Sequence, residues 1–109
     1  MRSKLNKRIV CADGFGMSVQ GNENAYCTPR VNGAEAYTQV EIGFPSEKES
    51  LIMPWCELPE EPTETVYGYV PVSVVVNVIA KHGGMVSGEV PPGVARLEPV
   101  NEKQQIPEG

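Results

Sequence analysis

The amino-acid sequence predicts a small α+β domain: an antiparallel sheet of about four to five short strands with one C-terminal helix packed on it, followed by an extended proline-rich tail. A length of 109 residues leaves room for one domain. Short apolar segments alternate with turn-forming residues, as in antiparallel sheets. A single longer segment, residues 70–84, carries helix boundary signals at both ends.

The first two predicted strands form a hairpin. Lys7–Ala12 and Met17–Gln20 flank the turn Asp13–Gly16, in which one Asp and two Gly supply backbone conformations that other residues resist. The polar, irregular segment Gly21–Ala36 follows. Loops of this length are often functional. We therefore expect an opening hairpin and then a long loop with candidate binding residues.

The clearest strand is Tyr37–Phe44, in which apolar and polar residues alternate. After the solvated connection Pro45–Ser50, we expect Leu51–Cys56 to be its antiparallel partner. Pro54 has no amide donor, which places that strand at a sheet edge or a bulge. The segment Thr65–Val70 predicts a further short strand.

Residues 70–84 carry conflicting signals. Five Val and one Ile between positions 72 and 79 favour a strand. The boundaries favour a helix: Pro71 suits a first turn, Lys81 and His82 lie where the helix dipole favours cations, and Gly83-Gly84 makes a C-cap. The boundary signals decide the prediction, which is a helix packed on the sheet.

The organisation along the chain is expected to be a basic N-terminal arm (residues 1–6), one α+β domain (residues 7–84) and an extended proline-rich tail (residues 85–109). The net charge of −5 divides unevenly. Residues 1–8 hold four basic residues and no acid, whereas the rest of the chain holds five basic and fourteen acidic residues, a charge of −9. Because an acidic body repels phosphate, we expect no direct contact with nucleic acid.

No apolar run approaches the roughly 20 residues of a membrane span, so we expect a soluble protein with no membrane partner. The basic start is followed by too few apolar residues for a secretory signal. Three cysteines without a CxxC pair suit free thiols in a reducing cytosol.

Candidate chemistry is sparse, and we expect no catalytic residues and no cofactor. Gly14-Phe15-Gly16 begins like a dinucleotide-binding loop, but position 19 is Val instead of Gly. An alternative is a structural zinc module with a Cys3His ligand set, since tetrahedral zinc accepts those ligands. Its ligands would be Cys11, Cys27, Cys56 and His82. A nucleophilic pairing of Cys27 with His82 rests on residue types alone.

Five separated segments resemble, in order, a family of small uncharacterised proteins encoded by tailed phages and prophages. They are CADGFGMSVQ (Cys11–Gln20), YCTPR (Tyr26–Arg30), VEIGFPS (Val40–Ser46), VYGYVP (Val66–Pro71) and KHGG (Lys81–Gly84). The resemblance covers residues 7–84. It implies a viral accessory protein in a bacterial host cytoplasm, and it carries no functional residues over to this chain.

The leading functional hypothesis is non-enzymatic, stoichiometric binding to a bacterial host protein, such as a nucleic-acid-handling defence component that an anti-CRISPR-like inhibitor would block. The acidic stretch Glu57–Glu64 would complement a basic surface on that partner. The candidate protein-binding residues are Trp55, Glu57, Glu60, Glu61 and Glu64. A solvated linker is the plain alternative for that stretch.

A second hypothesis is a ligand-binding protein that sequesters a nucleotide signal. Arginine and aromatic side chains near a glycine-rich turn suit such a ligand. The candidate ligand-binding residues are Asp13, Tyr26, Arg30 and His82. The acidic body argues against strong phosphate affinity.

Overall fold

The computed structural model describes residues 5–99. In chain order its elements are β1 (Ile9–Cys11), β2 (Gly16–Gln20), β3 (Gln39–Gly43), a 3₁₀ helix (Ser50–Trp55), β4 (Val66–Pro71), α1 (Val72–Lys81) and β5 (Met85–Ser87). The strands form one antiparallel five-stranded sheet in the order β4-β3-β2-β1-β5. The helix α1 packs on this sheet, which confirms the predicted α+β class.

The core lies between one face of the sheet and α1. Its central side chains come from alternate strand positions and one helix stripe: Met17, Val19, Val40, Ile42, Val75, Val78 and Ile79. Burying an aliphatic side chain contributes about 1.5–3 kcal/mol. The intrinsic preference against a helix costs less than about 1 kcal/mol per β-branched residue. Burial at helical spacing therefore outweighs the strand propensity of this valine-rich segment.

The prediction of a strand at Leu51–Cys56 is wrong. Ser50–Trp55 is a 3₁₀ helix that contains Pro54 and buries Ile52. Both sides of β3 are already occupied, because it pairs with β2 on one side and β4 on the other. No edge of β3 is left for this segment. The 3₁₀ helix contacts β4 instead, and Cys56, the residue after the helix, forms an isolated antiparallel bridge with Tyr67.

The structure also differs from the predicted boundary at Gly84. Met85–Ser87 is β5, an edge strand paired with β1. The backbone amide of Met85 donates to the carbonyl of Leu97, and that of Tyr37 donates to the carbonyl of Pro92, each at 2.8 Å. Val94 is buried. Residues 85–99 therefore belong to the body, while residues 1–4 of the predicted arm and 100–109 of the predicted tail lie outside the described part of the chain.

Within residues 5–99, no helix is long and apolar enough to cross a membrane.

Candidate functional site

A pair of stacked tyrosines is exposed on the β4 side of the sheet. The ring centroids of Tyr26 and Tyr69 lie 5.9 Å apart, and the ring planes are inclined by 23°. The Cζ atom of Arg30 lies 5.3 Å from the centroid of the Tyr26 ring. Tyr26 and Tyr69 remain 39% and 42% exposed. Exposed tyrosine and arginine side chains of this kind are the residue types that most often anchor protein interfaces.

Backbone geometry holds Tyr69 toward solvent. Its φ is 55°, a left-handed conformation that is costly for a bulky residue. The register between β3 and β4 shifts beside it. The Tyr69 amide donates to the carbonyl of Tyr26 at 2.9 Å. A Cβ atom on Gly68 would lie 3.1 Å from Cβ of Tyr26, so glycine lets the loop approach the strand. These contacts fix the two rings against each other.

The acidic segment Glu57–Glu64 is not an extended linker. Its backbone forms successive turns, in which the amide of Glu61 donates to Leu58 and the amide of Glu64 donates to Glu61. The hydroxyl of Tyr67 donates to the carbonyl of Pro62 at 2.5 Å, and burial raises the pKa of that hydroxyl. The segment is therefore tied to β4. All four of its glutamates are exposed: Glu57, Glu60, Glu61 and Glu64.

The acidic segment begins beside the tyrosine pair. Oε2 of Glu57 lies 3.5 Å from the place that a Cβ on Gly68 would occupy, and Tyr26 approaches the same glycine. Tyr26, Tyr69 and Glu57–Glu64 are therefore grouped here as the acidic–aromatic surface. Trp55, the aromatic residue expected to accompany the glutamates, is instead partly buried and packs against the core.

A cleft of about 230 Å³ opens on the outer face of the sheet, next to this surface. Its apolar lining comes from Leu5, Ala25, Phe44 and Val66, and its amide lining from Gln20, Asn22 and Asn24. Glu41 is the charged residue among the described residues that line it. Burial raises the pKa of the Glu41 carboxyl, and the nearby charge of Glu57 adds to this. The nearby backbone of Tyr26 and the charge of Arg30 oppose the rise in the pKa of Glu41 without cancelling it.

A second cluster lies where α1 ends. Nδ1 of His82 is 2.6 Å from Oδ2 of Asp13, and Nε2 is 2.6 Å from Oε1 of Glu49. The other oxygen of Glu49 accepts from Nζ of Lys81 at 2.8 Å and from the Leu51 amide at 2.9 Å. The ring of Phe15 stacks on the imidazole, with centroids 4.1 Å apart.

Both ring nitrogens of His82 face carboxylates, which accept hydrogen bonds but do not donate them when ionised, so the geometry assigns the charged imidazolium. Burial favours the neutral ring, but hydrogen bonds to Glu49 and Asp13 and their negative charges outweigh it and raise the pKa of His82. Burial also opposes ionisation of Glu49. Hydrogen bonds from Lys81, Leu51 and His82 outweigh that effect and hold the pKa of Glu49 low. Hydrogen bonds from Phe15 and His82 likewise lower the pKa of Asp13.

This cluster therefore acts as a structural clamp. Neither nitrogen of His82 is left to accept a proton from a nucleophile, which general-base activation requires. Cys27 does not contact it, because its thiol donates to the carbonyls of Asn22 and Pro29.

The residues of the zinc alternative are not brought together. Cys11 and Cys27 are buried, and Cys56 is partly buried beside Tyr67. Burial and the charge of Asp13 raise the pKa of Cys11, which disfavours the thiolate that binds metal. Within residues 5–99, no group of three or more His, Cys, Asp and Glu side chains is arranged to hold a metal ion.

The four residues of the nucleotide alternative fall into two separate pairs. Asp13 and His82 meet at the end of the sheet where β2 begins. Tyr26 and Arg30 lie near the end of β4, where Tyr69 contacts them. Because β2 and β4 both run antiparallel to β3, these are opposite ends of the sheet. One small ligand therefore cannot bridge both pairs.

No protein-family model matches this chain, and no curated protein or solved structure matches it either.

Proposed function

We propose that this protein works by non-enzymatic, stoichiometric binding to another protein through the acidic–aromatic surface. The observation that carries the proposal is that two exposed, stacked tyrosines lie beside Glu57, the first of four exposed glutamates in a segment of successive turns. In line with the phage-family resemblance, the partner is a host protein in a bacterial cell, and inhibition of a defence component is the form of activity that fits best.

The chemistry of the surface defines the partner. Four glutamates held by turns complement a basic patch, such as one that handles nucleic acid, and opposite charges accelerate association. Tyr26 and Tyr69 supply apolar contact area at a low cost in side-chain entropy, because their rings are already packed on each other. We therefore assign association rate and partner choice mainly to the glutamates, and the lifetime of the complex mainly to the tyrosines.

The titratable groups support a binding role over catalysis. The best candidate base in the described part of the chain, His82, is engaged by carboxylates at both nitrogens. Cys27 donates its thiol to two backbone carbonyls. A group already committed to a structural hydrogen bond must break it before it can react.

Two triple variants with the same charge change test the proposal. The first reverses Glu60, Glu61 and Glu64 to Lys. The control reverses three exposed glutamates elsewhere, Glu23, Glu35 and Glu47. Each variant moves the formal net charge from −5 to +1. Any difference between them therefore reports the position of the charges instead of their sum.

Tagged protein and both variants would be used to capture partners from a bacterial lysate at about 0.1 M and about 1 M salt, where the screening length falls from about 10 Å to about 3 Å. We expect one stoichiometric partner with wild type and the control variant, and its loss with the first variant and at high salt. Equal capture by both variants would contradict the proposal.

A further inference from the structure

We propose that the cleft beside Glu41 receives a long cationic side chain, a lysine or arginine, carried by the bound protein. This inference rests on the proposed function, because the cleft adjoins the acidic–aromatic surface. It adds the chemistry that the partner must present at one defined point.

The shape and lining of the cleft match such a side chain. Its volume of about 230 Å³ is several times the roughly 30 Å³ that one water molecule occupies. The apolar residues Leu5, Phe44 and Val66 form its wall, which suits the methylene stem of lysine or arginine. Among residues 5–99, Glu41 supplies the one carboxylate of the lining, which suits the charged end.

Within the part of the chain that the structure describes, the carboxylate of Glu41 has no compensating cation at salt-bridge distance. Among residues 5–99 it takes part in no salt bridge, whereas the buried Glu49 is paired with Lys81 and His82. Arg30 is near enough to affect Glu41 electrostatically, but its guanidinium lies over the Tyr26 ring. A half-buried carboxylate without an ion pair is costly, and a cation in the cleft removes that cost.

The backbone conformation of Phe44 independently supports ligand binding at the apolar wall of the cleft. Phe44 is 50% exposed and has a φ of 49°, a left-handed conformation that a phenylalanine rarely adopts. Its amide donates to the carbonyl of Thr65 at 3.0 Å, which anchors it beside β4. Strain of this kind at an exposed side chain is characteristic of ligand-binding positions.

The cleft and the acidic–aromatic surface are adjacent. Ala25, the chain neighbour of Tyr26, lines the cleft, as does Val66, whose carbonyl accepts from the Glu57 amide at 3.0 Å. A partner that covers Tyr26 and Glu57 can therefore place a basic side chain against Glu41. The same negative charges disfavour an anionic occupant such as a nucleotide.

The test uses two small probes that differ in charge. Nα-acetyl-lysine N-methylamide carries the cation, and Nα-acetyl-norleucine N-methylamide keeps a comparable stem without it. Each would be titrated into the full-length protein while backbone amide NMR shifts are followed. We expect saturable shifts with the lysine probe, confined to the residues around Asn24, Glu41 and Phe44, and weaker binding of the norleucine probe. Shifts that do not saturate, or equal affinity for both probes, would overturn the inference.

Variants and a direct titration complete the test. Glu41→Gln should weaken the lysine probe about tenfold or more, because a hydrogen bond to a charged group is lost, while Glu35→Gln should leave its affinity unchanged. The ¹³C carboxyl resonance of Glu41 in wild type should titrate at a lower pH when the lysine probe is saturating; an unchanged titration would contradict the inference even if Glu41→Gln failed to fold. Neither probe needs the host partner, so failure here is distinguishable from failure of lysate capture.

Discussion

Nε2 of His82 lies 2.6 Å from Oε1 of Glu49, and both side chains are almost completely buried. The two residues are 33 positions apart, so the contact joins the end of α1 to the start of the 3₁₀ helix. Asp13 extends the link to the turn between β1 and β2. The clamp thus connects three elements through alternating charges, and its contribution to stability must depend on pH.

The pH dependence of stability follows from the direction of each pKa shift. The pKa of His82 is raised, so its contribution is complete below its ordinary value of 6.5 and is lost as the pH rises through the raised folded value. The pKa of Glu49 is lowered, so its contribution is present above its ordinary value of 4.5 and is lost as the pH falls through the lowered folded value. We expect the free energy of unfolding, measured by urea denaturation, to be highest between these two values.

A His82→Gln variant is the control for this profile. It should remove the decline on the alkaline side and keep part of the decline on the acidic side. An unchanged alkaline decline in the variant would show that another group causes it.

Loss of the His82 ring should destabilise the fold far more than loss of the neighbouring cation. His82→Gln leaves the buried Glu49 carboxylate short of a partner, which typically costs about 3 kcal/mol. Lys81 binds the same carboxylate, but its side chain is 47% exposed, and Lys81→Gln should cost less than about 1 kcal/mol. Urea denaturation of both variants at pH 6 measures the difference. Equal costs would contradict the assignment of the clamp to His82.

The sequence predicted His82 at the C-terminal end of the helix, and the structure makes it the C-cap residue after Lys81; Gly83-Gly84 and the apolar spacing before them are local signals. The sequence did not indicate that Glu49 is buried, because this residue lies in a polar segment that is typical of a solvated connection. Its burial depends on the 3₁₀ helix, which exists because both sides of β3 are occupied by strands distant in sequence. Pairing of that kind leaves no local pattern around Leu51–Cys56.

At position 44 we expect the glycine variant to be more stable than the alanine variant, which is the reverse of the usual order. In an ordinary strand, alanine is the more stable of the two. At a φ of 49°, the Cβ atom is penalised, and Phe44→Gly should be more stable than Phe44→Ala by about 1 kcal/mol. Thermal or urea unfolding of the two variants gives this difference directly. If Phe44→Ala were the more stable variant, Phe44 would not be held in the left-handed conformation.

A substitution at Gly93 tests whether residues 85–99 pack on the rest of the domain. The φ of Gly93 is 103°, and an added Cβ would overlap the backbone carbonyl oxygen and amide nitrogen of Tyr37. Gly93→Ala should therefore destabilise the protein by more than about 2 kcal/mol. Gly33 also has a positive φ, of 67°, but nothing lies within 4 Å of its added Cβ, so Gly33→Ala should cost about 1 kcal/mol. Equal effects would mean that Gly93 does not pack on Tyr37.

Only part of the acidic–aromatic surface could be predicted from the sequence. The glutamates of the acidic segment are recognisable from composition, but their turns depend on the hydroxyl of Tyr67. Tyr26 and Tyr69 are 43 positions apart, and their stacking depends on the shifted register of β4 and the close approach at Gly68. No sequence spacing predicts that two residues so far apart will stack. Trp55 was predicted as the aromatic binding residue because it adjoins the glutamates, but it packs against the core.

Site-specific photo-crosslinking tests the central claim most directly. A benzoylphenylalanine side chain would replace Tyr69, on the β4 edge of the sheet, or Val86, which is 54% exposed on the β5 edge. After irradiation in bacterial cells, we expect one crosslinked host protein, in an adduct of 1:1 composition, from position 69, and none from position 86. Crosslinking of the same protein from position 86 alone, or of no protein from position 69, would contradict binding through the acidic–aromatic surface.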